Sequence, residues 1–234
     1  MSVILNIETS TQCCSAAVCA DGEVLFEKIE REGMNHARLL APFVQECTDY
    51  LKRHDRKPEA VAVSMGPGSY TGLRIGMSMA KGLCEALGLP LIGIPTLQIL
   101  AVKAMFARYD WEGDEILVPM LDARRMEVYT ASYDFSLKEL EATRPVILEA
   151  DSFVSLQEKY HGRRLVFIGD GAKKAQGVLN VPDNAMFMPD IYPDARGMMA
   201  LADRAMRSSE FLDTAYSVPF YLKEFQATVP KKPF

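Results

Sequence analysis

Glu8-Thr9-Ser10-Thr11, a carboxylate followed by three hydroxyls, closes the first apolar run of the chain. At a strand end such a set can face a phosphate or the magnesium that accompanies one. A polar turn between two strands needs the same residues and no ligand. The second group is Gly66-Pro67-Gly68-Ser69-Tyr70-Thr71-Gly72. Glycines after a strand and before a helix let backbone approach an anion, and the helix start behind them offers unpaired N–H groups and a positive dipole. The lysine of a P-loop is absent, so phosphate binding there would rest on backbone alone. A plain tight turn also accounts for these glycines. Gly169-Asp170-Gly171 opens another loop-to-helix turn. Candidate nucleotide contacts are therefore Glu8, Thr9, Ser10, Gly66, Gly68, Ser69, Gly169 and Gly171.

Asp122, Arg124, Arg125 and Glu127 crowd a single turn. They can bind a carboxylate or phosphate, or form a local salt-bridge network that adds little stability. His36 follows Asn35, a residue suited to capping a helix, and reads as a capping or solvated group sooner than as a base. Neither Ser64 nor Ser69 has a histidine at readable spacing, and G-x-S-x-G and H-E-x-x-H are both absent. The three histidines, His36, His54 and His161, lie too far apart for a histidine-rich metal site. The five cysteines, Cys13, Cys14, Cys19, Cys47 and Cys84, include no C-x-x-C pair and read as small buried hydrophobes. No catalytic set and no metal site emerge.

The elements that must position these groups follow from periodicity. Residues 3–7, 15–19 and 23–29 read as three antiparallel strands, the last two joined by Asp21-Gly22, where both positions tolerate positive φ. Residues 35–54 carry Leu40, Phe43, Val44, Cys47 and Leu51 at helical spacing, with a kink or late start expected at Pro42. A buried strand at 60–64 precedes a helix over 70–87, capped by Ser69 and stopped by Gly88. Strand 91–94 and helix 97–108 come next, and the polar stretch 109–114 marks a lobe boundary. Beyond it, strands are expected at 116–121, 126–133, 145–148 and 165–168, a short helix from an Asp151 cap to 160, and a helix over 195–207. No period is evident in 219–222 and the tail. This order suits two related α/β lobes. On the 70–87 helix, Gly72, Gly76 and Ala80 form a stripe of small residues. Glycine inside a helix costs about 1 kcal/mol against alanine, so close approach of another backbone is the expected compensation. That backbone can belong to the chain's own sheet or to a partner.

Composition limits the function classes. Of the 234 residues, 49% are hydrophobic and 24% charged, as in ordinary globular proteins. No apolar run reaches the roughly 20 residues of a membrane span, and the first residues lack a basic leader, so a cytoplasmic location with no membrane partner is expected. With a net charge of −5, the chain lacks the basic face of a protein that grips RNA alone.

Residues 4–11, Asp21-Gly22, His36 with Pro42, and above all VAVSMGPGSYTGLRIGMSMAKGLCEALGLPLIGIPTL resemble the TsaB family, once called YeaZ. LDARRMEVY, IGDGAKK and the terminal PFYLKE match it as well, whereas 137–164 and 177–190 carry little of the resemblance. The resemblance implies an α/β, actin-like ATPase fold (ASKHA, ribonuclease H-like) with two lobes. Residues 1–110, completed by 218–234, would form the first lobe and 111–217 the second. It further implies a non-catalytic subunit acting with its paralogue TsaD and the ATPase TsaE in making threonylcarbamoyladenosine in tRNA, with tRNA met through the complex. Older glycoprotease or M22 peptidase labels come from the paralogy with TsaD. Where TsaD-like proteins carry two metal-binding histidines, this chain has Thr96 and Leu100, and where most members carry an aspartate it has Glu8. Leucine has no lone pair for a metal. The family's pairing surface maps to His36, Leu40, Phe43, Cys47, Gly72, Leu73, Gly76, Met77, Ala80 and Leu83, with a homodimer expected in isolation. No cofactor held firmly by this chain is implied; ATP or ADP with magnesium would sit at the junction with the partner complex. An active phosphotransferase of the same superfamily is the main rival, and it would need a second cleft carboxylate beside Glu8.

Overall fold

The computed structural model describes residues 2–33 and 35–222. Strands β1 (Val3–Glu8), β2 (Cys14–Ala20) and β3 (Glu23–Glu30) form an antiparallel meander. Asp21 and Gly22 turn it at φ 52° and 79°. Helix α1 (His36–Arg53) leads to β4 (Ala60–Gly66), and α2 (Tyr70–Leu87) to β5 (Leu91–Pro95); both strands add in parallel, giving the order β3-β2-β1-β4-β5. The run of residues 3–7, apolar except for Asn6, reflects burial of β1 on both faces. Val3, Leu5 and Ile7 pack under α1 and α2, while Ile4 faces the opposite helices.

Helix α3 (Thr96–Phe106) crosses to the second sheet, β6 (Ile116–Asp122), β7 (Glu127–Tyr133), β8 (Glu139–Ile147), β9 (Leu165–Ile168) and β10 (Met186–Met188), with short helices α4 (Val154–Lys159) and α5 (Asp170–Ala175). Read from the β8 edge, its order β8-β7-β6-β9-β10 repeats that of the first sheet element for element. This duplication is the two-lobed, actin-like arrangement that the resemblance implies. Helix α3 joins the lobes because it is apolar all round. Ile99 and Val102 pack on the first sheet, and Leu97, Leu100, Ala101 and Ala104 on the second. Helix α6 (Met199–Arg207), which the sequence division counts with the second lobe, packs instead on the first sheet through Leu201, Ala202 and Ala205. The chain then runs past β5, with Leu212 bridging Leu91, and Phe220 N–H donates to the Met65 carbonyl at 2.7 Å.

Several expectations change. Pro42 lies within an uninterrupted α1, and Asn35 caps it only by its carbonyl, without a side-chain bond. Asp151 likewise offers its carbonyl to Val154, so α4 starts later than expected. Strand β8 begins at Glu139, and Pro145 is tolerated because β8 is an edge strand whose outer N–H groups need no partner. The three-residue β10 gave no periodic signal. The 195–207 segment opens with a 3₁₀ turn (Ala195–Met198), capped where Asp194 Oδ1 accepts from Gly197 N–H at 3.0 Å. Lys223 and Glu224 of the closing PFYLKE segment lie outside the described residues. Among the described residues, no helix is long and apolar enough to cross a membrane.

Candidate functional site

The site is built at the carboxyl end of β1. Glu8, Thr9 and Ser10 are buried there, and the Gly66–Gly72 loop is moulded onto them. Ser69 N–H donates to the Ser10 carbonyl at 2.6 Å, and Thr9 Oγ1 donates to the Gly72 carbonyl at 2.8 Å. A β-carbon at Gly68 would run into the Ser10 carbonyl, and one at Gly72 into that of Thr9. Ser69 caps α2 by accepting from Gly72 N–H at 3.2 Å. Gly66, at φ 104°, leaves room for the Phe220 carbonyl, 2.5 Å from where its β-carbon would stand. Gly169, at φ 100°, does the same for the Met120 carbonyl, also at 2.5 Å, and Gly171 packs on Met120 and Val128. The glycines singled out as phosphate contacts thus make room, on their Cβ side, for neighbouring parts of the chain itself.

Glu8 is the remaining group with chemical potential. Its Oε1 accepts from Ser10 N–H at 2.5 Å, while Oε2, Ser10 Oγ and Thr96 Oγ1 are buried without a hydrogen-bond partner. Burial pushes the Glu8 carboxyl up to about 7; contacts with Ser10 pull it back only in part, and Asp194 adds to the rise. A neutral carboxyl is the weaker magnesium ligand. Its folded pKa lies above the usual carboxylate value of 4.5, so the folded state holds the extra proton. The contribution of Glu8 to stability is therefore expected to fall as pH rises from 4.5 through about 7 and to be level above that, a loss on the order of 3 kcal/mol. Glu8→Gln is expected to flatten this slope and to raise the urea midpoint at pH 8. An unchanged pH profile in the variant would refute the assignment.

Around this end, Thr96 and Leu100 are fully buried in the first turns of α3, with Leu100 Cδ1 beside Gly169. Lys103, further along α3, forms an ion pair with Asp194, whose side chain is 7% exposed. No group of three or more His, Cys, Asp or Glu among the described residues could hold a metal ion. Burial pushes the Cys13, Cys14 and Cys47 thiols up to about 12 and those of Cys19 and Cys84 to about 11, so none is a ready nucleophile.

Most of the residues expected to meet a partner have buried side chains. Leu40, Cys47, Gly72, Leu73, Gly76, Met77 and Ala80 are buried inside the lobe. His36 is buried too, its Nε2 bonding the Cys13 carbonyl at 3.2 Å. The reason is that Gly76 receives the Thr9 side chain, so the small-residue stripe compensates its helix cost within the chain. Phe43 and Leu83 are partly exposed. The open side of α2 is instead a groove of about 740 Å³ lined by Ala37, Ile75, Ser78, Met79, Gly82 and Leu83, among others. A β-carbon at Gly82 would meet nothing. A second small-residue row, Thr71, Ser78 and Gly82, was the signal that could have found this face.

The second-lobe cluster divides. Asp122 Oδ1 accepts from Arg124 N–H at 2.6 Å and from Lys174 Nζ at 2.8 Å, while the Arg124 and Arg125 side chains point to solvent. Lys174, not singled out in the sequence, braces the turn.

A family model described as TsaD, tRNA N6-adenosine threonylcarbamoyltransferase, matches residues 28–228. The tRNA threonylcarbamoyladenosine biosynthesis protein TsaB of Bacillus subtilis is 32% identical over 71% of this chain and 70% of its own length. TsaB of Escherichia coli is 29% identical over 94% of each chain. The solved structure of YeaZ from Pseudomonas aeruginosa superposes with a TM-score of 0.78 at 26% identity, over 95% of this chain and all of that one.

Proposed function

Since the chain belongs to the TsaB family of tRNA threonylcarbamoyladenosine biosynthesis proteins, we propose that it is a non-catalytic subunit of that machinery. It binds a TsaD-type transferase, works alongside a TsaE-type ATPase, and meets tRNA within the assembly, in the cytoplasm. The observation that carries the partner role is the open groove on α2. Ile75, Met79 and Leu83 give it apolar area, and Ser78 and Gly82 let a partner helix come close. In the absence of the transferase the same face pairs two copies of the chain, because a C2 interface needs only one self-complementary patch.

The non-catalytic role draws support from Thr96 and Leu100, a buried hydroxyl and a buried hydrocarbon where the resemblance to TsaD-like proteins implies histidines. The glycine loops packed against the chain itself, and the absence beside Glu8 of any metal-holding cluster of three or more His, Cys, Asp or Glu among the described residues, support this reading over an independent phosphotransferase. ATP or ADP with magnesium then belongs to the junction with the partner assembly.

Gly82→Arg places a long charged side chain in the groove, where nothing in the chain opposes it. The variant is expected to fold with a urea midpoint no lower than that of the unaltered chain, since arginine is the better helix former, and to lose both self-pairing and assembly with the cognate transferase at least tenfold, by light scattering and pull-down. Full retention of assembly would reject the groove as the interface. Reconstituted tRNA modification with and without this chain tests the role itself.

A further inference from the structure

We propose that the tip of the β6–β7 hairpin, Arg124 and Arg125, is a contact site for the phosphate backbone of RNA; the choice of RNA rests on the function proposed above. The turn's acids are already engaged. Asp122 is held by Arg124 N–H and Lys174, and Asp170 Oδ1 accepts from Asp122 N–H at 2.9 Å. Lys174 is itself spent, donating also to the Arg125 and Glu127 carbonyls at 2.8 and 2.7 Å. Among the described residues Arg108, Arg144, Arg164, Arg196 and Arg207 sit in ion pairs, whereas neither arginine of the tip does.

The backbone supplies a separate reason. Arg124 and Arg125 hold φ values of 67° and 48°, consecutive left-handed positions that turn chemistry alone would give to Asn or Gly. Arginine there serves its guanidinium, held on a turn that Lys174 and the Asp122 carboxylate keep rigid. A guanidinium fork matches phosphate oxygens, and it stays protonated and charged at any working pH. In a chain of net charge −5, such a contact adds to a grip supplied largely by others.

The test is fluorescence anisotropy of labelled tRNA between 50 and 200 mM salt, with the full chain alone and with its cognate transferase. Each lost phosphate contact lowers the salt slope of log K by about 0.7–0.9. Arg124→Ala/Arg125→Ala is expected to lower that slope by roughly one to two in at least one arm. Arg56→Ala/Arg204→Ala, two exposed arginines elsewhere, should leave it unchanged. Unchanged slopes in both arms, an equal drop in the control, or no measurable binding in any arm would each overturn the proposal. Loss of transferase assembly without a change in RNA slope would also overturn it, identifying an acidic protein surface as the partner. The chain-alone arm needs no assembly, so its outcome is separable from that of Gly82→Arg.

Discussion

Gly72→Ala is expected to destabilise the protein by about 3 kcal/mol, whereas Gly82→Ala, on the same helix, should stabilise it by up to about 1 kcal/mol. In both positions alanine has the better helix propensity. The difference lies in what the new methyl meets. At Gly72 it meets the Thr9 carbonyl oxygen, part of the backbone that ends β1, so either α2 must lift off the sheet or the strand end must move. At Gly82 it meets open space. Urea unfolding of both variants measures the difference directly. Equal effects of one sign would mean that the stripe facing the sheet has been misassigned, and with it the groove on the opposite side of α2.

Lys103→Met is expected to cost about 3 kcal/mol or more. The lysine stem lies across Gly197, where a β-carbon would stand 2.7 Å from its Cδ, and methionine fills the same space. What is lost is the ammonium that neutralises Asp194, a carboxylate already close enough to raise the Glu8 pKa. An unpaired buried carboxylate is the costly state; a missing pair is much less so. The double variant Lys103→Met/Asp194→Asn should therefore recover at least half of the loss, because the amide keeps an oxygen for Gly197 N–H without the charge. A double-mutant cycle by thermal or urea unfolding reads the coupling. Additive effects would show that the pair is solvated and of little consequence, as surface pairs are.

The strand-turn-strand opening, the Ser69 cap and the Gly88 stop of α2 were legible because each depends on residues within a few positions of one another. That the chain holds two related lobes was legible from the order of its elements, and the structure shows how far the likeness goes, in strand order and in the paired glycines Gly66 and Gly169. Edge strand β10 and the start of β8 escaped notice, since short strands with one open side need little periodicity.

Which side of α2 faces inward was beyond the sequence. Gly72, Gly76 and Ala80 form one row of small residues, and Thr71, Ser78 and Gly82 form another. A 3.6-residue period identifies rows but not their partners. Only the meeting of Thr9 with Gly72 and Gly76, more than sixty positions apart in the chain, decided that the first row is internal and the second is free. The same holds for the charged turn, where Lys174 arrives from a distant helix and pairs with Asp122, while the two arginines form no ion pair among the described residues. Motif resemblance was enough for the family, and residue types and local spacing for most of the elements and the inventory of polar groups. Burial and pairing were settled by contacts between remote segments, because desolvation and close backbone approach depend on what stands opposite a residue rather than on what precedes it.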